Sequence, residues 1–237
     1  MTNVSYDLWY WTGLQGRGEF VRLAFEAAEI PYNDCARERG DDAMIARMTA
    51  IGTRQPFAPP FLEVDGFAIA QVANILLFLG ERHGLAPTTL KDRYWLHQVQ
   101  LTISDVVAEV HNVHHPVDGM AYYDEQKPEA ARAAKQFRKA RMPKFLGWFE
   151  DALDHGRDWL VGDRWSPGDT SLFQLVAGLR YMFPMRMAAL EPDYPKLIAL
   201  YDRVADLPGI RAYLASDRRI AFNETGIFRH YPELDAE

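Results

Sequence analysis

The stretch F-A-P-P-F-L-E-V-D-G-F-A-I-A-Q-V-A-N-I-L-L-F-L-G, residues 57–80, decides the fold. Two short apolar runs, FLEV and FAIA, flank Asp65-Gly66, a dipeptide suited to the positive φ angles of a tight hairpin turn. Proline donates no ladder hydrogen bond, so the double proline at 59–60 does not open a central strand of the ordinary kind. It marks an edge where the backbone is free to meet something else. Val72, Ile75, Leu76 and Leu79 then recur at helical spacing, and Gly84 ends the helix expected over 71–84. A strand pair running straight into a helix leaves that helix N-terminus, with its free N–H groups and partial positive charge, beside the hairpin.

Upstream of the hairpin, Val4, Tyr6, Leu8 and Tyr10 alternate along VSYDLWY and predict a strand over 4–10. Gly13, Gly16 and Gly18 break the chain, and EFVRLAFEAAEI (19–30) has helical periodicity up to Pro31. PYNDCA suits a second strand, and DDAMIARM (41–48) a short helix with acids at its positive end. The expected order is β-α-β-α-β-β-α. Downstream, LAPTTLKD is a polar connection. Beyond it only helical signals follow: a stripe of Trp95, Val99, Ile103, Val106 and Val110, a helix after Pro128 that Pro143 bends, and two more near the end. Ser166-Pro167-Gly168-Asp169 predicts a capping box, with Asp169 reaching back, in front of a buried helix. The last residues, FNETGIFRHYPELDAE, carry no period. The fold class is α/β plus all-α: an N-terminal domain over 1–85, a linker at 86–92, an all-helical domain over 93–222 and a tail at 223–237.

The 237 residues are 48% hydrophobic, enough for a substantial core. A net charge of −7 argues against nucleic acid as a partner. No apolar run approaches a membrane span, and the first residues lack the pattern of a signal peptide, so a cytoplasmic protein with no membrane partner is expected. The single cysteine, Cys35, excludes an internal disulfide and a CxxC pair.

Read together, these segments resemble the soluble, cytosolic-type glutathione S-transferases, and in particular a bacterial member of the tyrosine-type classes. P-F-L-E-V-D-G-F-A-I-A-Q-V-A-N-I-L-L-F-L-G is similar to that family's cis-proline, hairpin and Gln-Ser or Gln-Thr helix start. Y-W-T-G-L-Q-G-R-G-E-F-V-R-L and S-P-G-D are similar to two further family segments. The resemblance spans the chain to about residue 220. It implies a thioredoxin-like, glutathione-binding N-terminal domain, a homodimer, and glutathione as co-substrate without a metal.

Site residues follow from it one by one. Tyr10 resembles the tyrosine whose hydroxyl stabilises the glutathione thiolate, with Thr12 in reserve because the loop to Arg17 is one residue longer; a core aromatic at a strand end is the alternative for Tyr10. Gln71 and Val72 stand where the γ-glutamyl group is held, Val72 replacing the family's Ser or Thr. Pro59 and Pro60 present the backbone edge, and either could be the cis residue. If Pro60 is, then Pro59 stands where the family offers an N–H that proline lacks. Asp105 resembles the acid that reaches across a dimer to the glutathione amine, and Arg54, with Arg47, is a candidate for the glycine carboxylate. His111, His115 and Tyr181 mark the electrophile pocket, with Tyr122, Tyr123 and Met185 as further candidates. His111, His114 and His115 at i, i+3 and i+4 share a helical face, but no carboxylate or cysteine supports a metal site there. Cys35, in the second strand region, is read as a structural thiol. The function implied is glutathione transfer to a small hydrophobic electrophile, a detoxification chemistry. The alternatives are a non-catalytic ligand-binding protein on the same scaffold, or a glutathione-dependent isomerase, lyase or peroxidase.

Overall fold

The fold is that of a computed structural model describing residues 5–154 and 156–235. Val4, placed in the first strand from the sequence, lies outside the described residues.

Four strands form one mixed sheet: β1 (Asp7–Trp9), β2 (Asn33–Asp34), β3 (Phe61–Val64) and β4 (Phe67–Ala70), in the order β2-β1-β3-β4. β1 and β2 are parallel, joined by a helical crossover, whereas β3 runs antiparallel to both β1 and β4. The predicted hairpin is present, with Val64 opposite Phe67 and positive φ at Asp65 (50°) and Gly66 (82°).

Helices cover both faces of the sheet. On one side α1 (Gly18–Ala27) and α4 (Val72–Arg82) bury Val21, Phe25, Ile75 and Leu79 against Tyr6, Leu8, Leu62 and Val64. On the other, α2 (Cys35–Arg39) and α3 (Asp41–Ala50) enclose Trp9, Cys35, Met44 and Phe61. One expectation fails here: Cys35 does not lie in a strand. β2 is two residues long and Cys35 opens α2, where it is buried. Asp34 is held by the Arg22 guanidinium (Nε–Oδ2 2.7 Å), which fixes where strand gives way to helix.

The remainder is helical. Thr89 caps α5 (Leu90–His114), its hydroxyl accepting the Asp92 N–H at 3.1 Å. α6 (Lys127–Gln136) carries Pro128 in its first turn, and α7 (Met142–Ala152) carries Pro143 in its own. The bend expected at Pro143 is a wide π turn over Phe137–Arg141, just before it. α8 (Pro167–Met182) is the buried axis of this half, nearly every residue enclosed. α9 (Pro184–Leu190), α10 (Pro195–Ala205) and α11 (Pro208–Leu214) complete it.

The two halves lock through buried charge. Glu19 and Arg22 are both 0% exposed on α1. Glu19 accepts from Arg22 (3.2 Å), from the Tyr213 hydroxyl of α11 (2.8 Å) and from Arg219. Buried charges persist only with such partners. The final segment also docks. Ile227 and Phe228 are buried, Phe228 lying where any side chain at Gly178 would stand. Asp235 accepts the N–H groups of Met185 (2.7 Å) and Arg186 (3.2 Å) at the start of α9.

Candidate active site

The N-terminus of α4 opens onto a cavity of about 70 Å³ at the junction of the two halves. Gln71 adopts φ 70°, ψ 121°, which turns the chain sharply from β4 into α4. The first intrahelical bond there runs from Ile75 N–H to Gln71 O at 2.9 Å, so the N–H groups of residues 72–74 have no partner within the helix. Ala58, Pro60, Gln71 and Val72 form one wall; Arg17 and Phe20 a second; Gln100, Ile103, Ser104 and Val107 of α5 the third. Arg17 is the one charged residue among them. Free helix-end donors beside a guanidinium make this wall an acceptor of carboxylate.

The peptide bond between Pro59 and Pro60 is cis, which settles the open choice: Pro60 is the cis residue and lines the cavity. Pro59 therefore precedes it, and that position offers a carbonyl but no N–H.

Tyr10 lies one layer behind the wall. Its hydroxyl accepts the Arg17 N–H at 2.9 Å, and its ring fills the space beneath Gly16 and Gly18. A Cβ at Gly16 would come within 2.1 Å of the Tyr10 oxygen, and its φ of 46° also favours glycine. Burial pushes the Tyr10 hydroxyl above its ordinary range, against the lowering pull of the Arg17 N–H and of the Arg17 and Arg22 charges. It therefore stays protonated at neutral pH, a donor whose oxygen is already oriented. Thr12 does not line the cavity; its N–H is tied to Asp41 (2.8 Å) at the start of α3.

The two arginines considered for a carboxylate differ. Arg47 grips Glu63 through several short contacts, among them Nε to Oε2 at 2.9 Å. Arg54, at φ 70°, is exposed in the loop before Pro56 and does not line the cavity. Asp105 is exposed on α5, next to Ser104, which faces inward.

The three histidines gather as their spacing predicts, with ring centroids 4.8–5.4 Å apart. Burial, reinforced by the positive fields of His115, Arg17 and Arg229, pushes His111 down to about 4. His114, fully buried, is pushed down to about 3, mainly by desolvation. Its Nε2–H donates to the Ile227 carbonyl (2.8 Å), and His115 Nδ1–H donates to the Ala121 carbonyl (3.0 Å). All three are neutral at physiological pH, and none of them is among the residues that line the cavity. Among the described residues no group of His, Cys, Asp or Glu is disposed to hold a metal. Tyr181 stacks on Phe222 (4.9 Å) and donates to Glu224, while Tyr123 stacks on Tyr231 (3.8 Å). Tyr122 and Met185 are exposed.

Sequence reasoning missed Arg17, Gln100 and Ser104 as wall residues. Gln100 carried a usable signal, a polar residue at a buried position between Leu96 and Ile103 on an otherwise apolar helical face.

Comparison with known proteins agrees with this geometry. Residues 111–217 match the family model for the glutathione S-transferase C-terminal domain. The chain is 28% identical over 209 residues to glutathione S-transferase alpha-5 of Rattus norvegicus, covering 87% of each, and 26% identical over the same length to glutathione S-transferase A3 of Mus musculus. The solved glutathione S-transferase of Ascaris lumbricoides superposes with a TM-score of 0.66 at 25% identity, over 89% of this chain and 96% of that one. In fold, in the matched C-terminal domain and in its relatives, the chain is similar to the soluble glutathione transferases.

Proposed function

We propose that this chain is a glutathione transferase, which activates the glutathione thiol for attack on a small hydrophobic electrophile. The observation that carries the reading is the open N-terminus of α4, which faces a cavity shared with Arg17, one hydrogen bond away from a protonated tyrosine. The N–H groups of residues 72–74 receive the γ-glutamyl carboxylate, the Pro59 carbonyl pairs with the cysteinyl N–H, and the sulfur lies toward Tyr10. A thiol of ordinary pKa near 8.5 is mostly protonated at neutral pH. Donation from Tyr10 favours the thiolate, whose proton passes to solvent water, and the thiolate then forms the new S–C bond as the electrophile's leaving group departs with its electron pair. His111 and His115, neutral, and Tyr181 would flank the electrophile. Arg54 would meet the glycine carboxylate and Asp105, from a partner subunit, the amine; Thr12 stands in reserve as the hydroxyl donor.

We further propose a cytoplasmic homodimer from a bacterial source, with the two domains divided near residues 86–92 and a detoxifying role. The named relatives are animal proteins. Among the described residues no helix is long and apolar enough to cross a membrane.

Calorimetric titration with glutathione, followed by conjugation to an activated aryl halide, tests the assignment. Tyr10→Phe should lower turnover about tenfold or more and raise the apparent pKa of kcat/KM by about one unit, while the protein stays on a glutathione column. Unchanged turnover removes Tyr10 from the mechanism. A second reading, a non-catalytic binder on the same scaffold, draws support from the N–H missing at Pro59 and the hydroxyl missing at Val72. Glutathione binding without turnover across halides, hydroperoxides and ether-linked aromatics would favour it. Turnover of only one of the latter two classes would instead mark a peroxidase or a lyase, and a substrate rearranged without net conjugation an isomerase.

A further inference from the structure

Gln100 is 4% exposed, and neither its amide nitrogen nor its amide oxygen has a hydrogen-bond partner among the described residues. Leaving both ends of a buried amide unpaired costs stability, and an apolar residue of the same shape would remove that cost. The side chain lies on α5 and lines the same cavity as Gln71 and Val72. That wall has a deficit of its own. Val72 opens α4 with free N–H groups but offers no hydroxyl, so a carboxylate seated there finds one side-chain donor too few. An unpaired donor and an under-provided acceptor site thus share one cavity of about 70 Å³. Ser104 does not fill the gap, because its hydroxyl donates back to the Gln100 carbonyl at 3.1 Å.

We propose that Gln100 is a substrate-binding residue whose side-chain amide donates to the α-carboxylate of the γ-glutamyl group, taking the place of the hydroxyl absent at position 72. The inference rests on the assignment of this cavity to glutathione. In the bound state the amide N–H meets the carboxylate, and the amide oxygen is left facing the neighbouring ammonium of the same amino-acid head. One side chain then serves both charges of an α-amino acid, and its unpaired amide is the cost of that readiness.

The test is calorimetric titration of glutathione into the full-length protein, Gln100→Leu, and the double variant Gln100→Leu with Val72→Thr. A parallel titration uses 4-aminobutyryl-cysteinyl-glycine, which lacks the α-carboxylate. Gln100→Leu should bind glutathione about tenfold to a hundredfold more weakly, the range of a hydrogen bond to a charged group. The double variant should recover most of that loss, and Gln100→Leu should lose clearly less affinity for the decarboxylated peptide, which keeps only the ammonium, than for glutathione. Without ligand, Gln100→Leu should melt at the same temperature or higher. Gln100→Met, which keeps the length of the side chain, stands in if the leucine variant folds poorly. Equal glutathione affinity in Gln100→Leu overturns the proposal, as does an equal loss for both peptides or an absence of recovery in the double variant. If the unaltered protein gives no heat with glutathione, the transferase assignment itself falls and this inference with it. That result is distinct from failure at Gln100 alone, where the unaltered protein binds.

Discussion

His114 carries no charge at neutral pH because the helical half gives it no water and only a carbonyl to bond. Its folded-state pKa, about 3, lies below the ordinary 6.5. The unfolded chain therefore binds the extra proton first, and stability that is complete above pH 6.5 is lost as pH falls below it. At pH 5 the loss from His114 alone is about 2 kcal/mol. Melting temperature measured from pH 8 to pH 5 should decline on the acid side, and more shallowly in His114→Gln; equal slopes would place the acid sensitivity elsewhere. Cys35 illustrates the opposite case of a group made inert. Burial, with the negative charge of Asp7 added, pushes its thiol up to about 12, so the thiolate that reacts with alkylating agents is scarce. The folded protein should resist maleimide labelling, and Cys35→Ser should conjugate glutathione at the unaltered rate. Rapid labelling without unfolding would contradict the burial.

At the scale of elements, the start of α8 carries an unusual share of the helical half. Asp169 accepts the Ser166 N–H at 2.7 Å, the Ser166 hydroxyl at 2.6 Å and the Leu160 N–H at 2.9 Å. Asp169→Ala leaves these donors buried and unpaired, which costs about 3 kcal/mol or more. Urea unfolding should show the midpoint shift; a loss below about 1 kcal/mol would mean the loop at Leu160 relaxes to find water. This capping box was legible from four consecutive residues, as was the hairpin at Asp65-Gly66, because each depends on local turn chemistry. α2 was not legible. Five residues, most of them charged, give no periodicity, and the Arg22–Asp34 pair that sets its start joins positions twelve apart in the chain. The cavity divides in the same way. Gln71 and the prolines belong to one continuous motif, whereas Arg17, Gln100 and Ser104 join it only once α1 and α5 have packed. Sequence reasoning named Asp105 on this helix, whereas packing turned its neighbour Ser104 toward the cavity and left Asp105 exposed.

At the scale of the molecule, α5 keeps an outer stripe uncovered: Leu90 is 67% exposed, Tyr94 69% and Leu101 48%, in line with Asp105. The proposed homodimer, if it forms on this stripe, would bring Asp105 toward the partner's cavity, as its proposed role requires. Leu101→Glu should then sediment as a single subunit and bind glutathione more weakly, while an unchanged sedimentation coefficient would move the interface to another face. The docked final segment adds a dependence of another kind. Residues 223–235 have no periodicity of their own, yet Ile227 supplies the carbonyl that holds His114, and Tyr231 covers Tyr123. A protease cut near Thr225 would therefore do more than shorten the chain. It would hydrate His114, return its basicity toward that of free histidine, and open the aromatic seam between Tyr123 and Tyr231 to water.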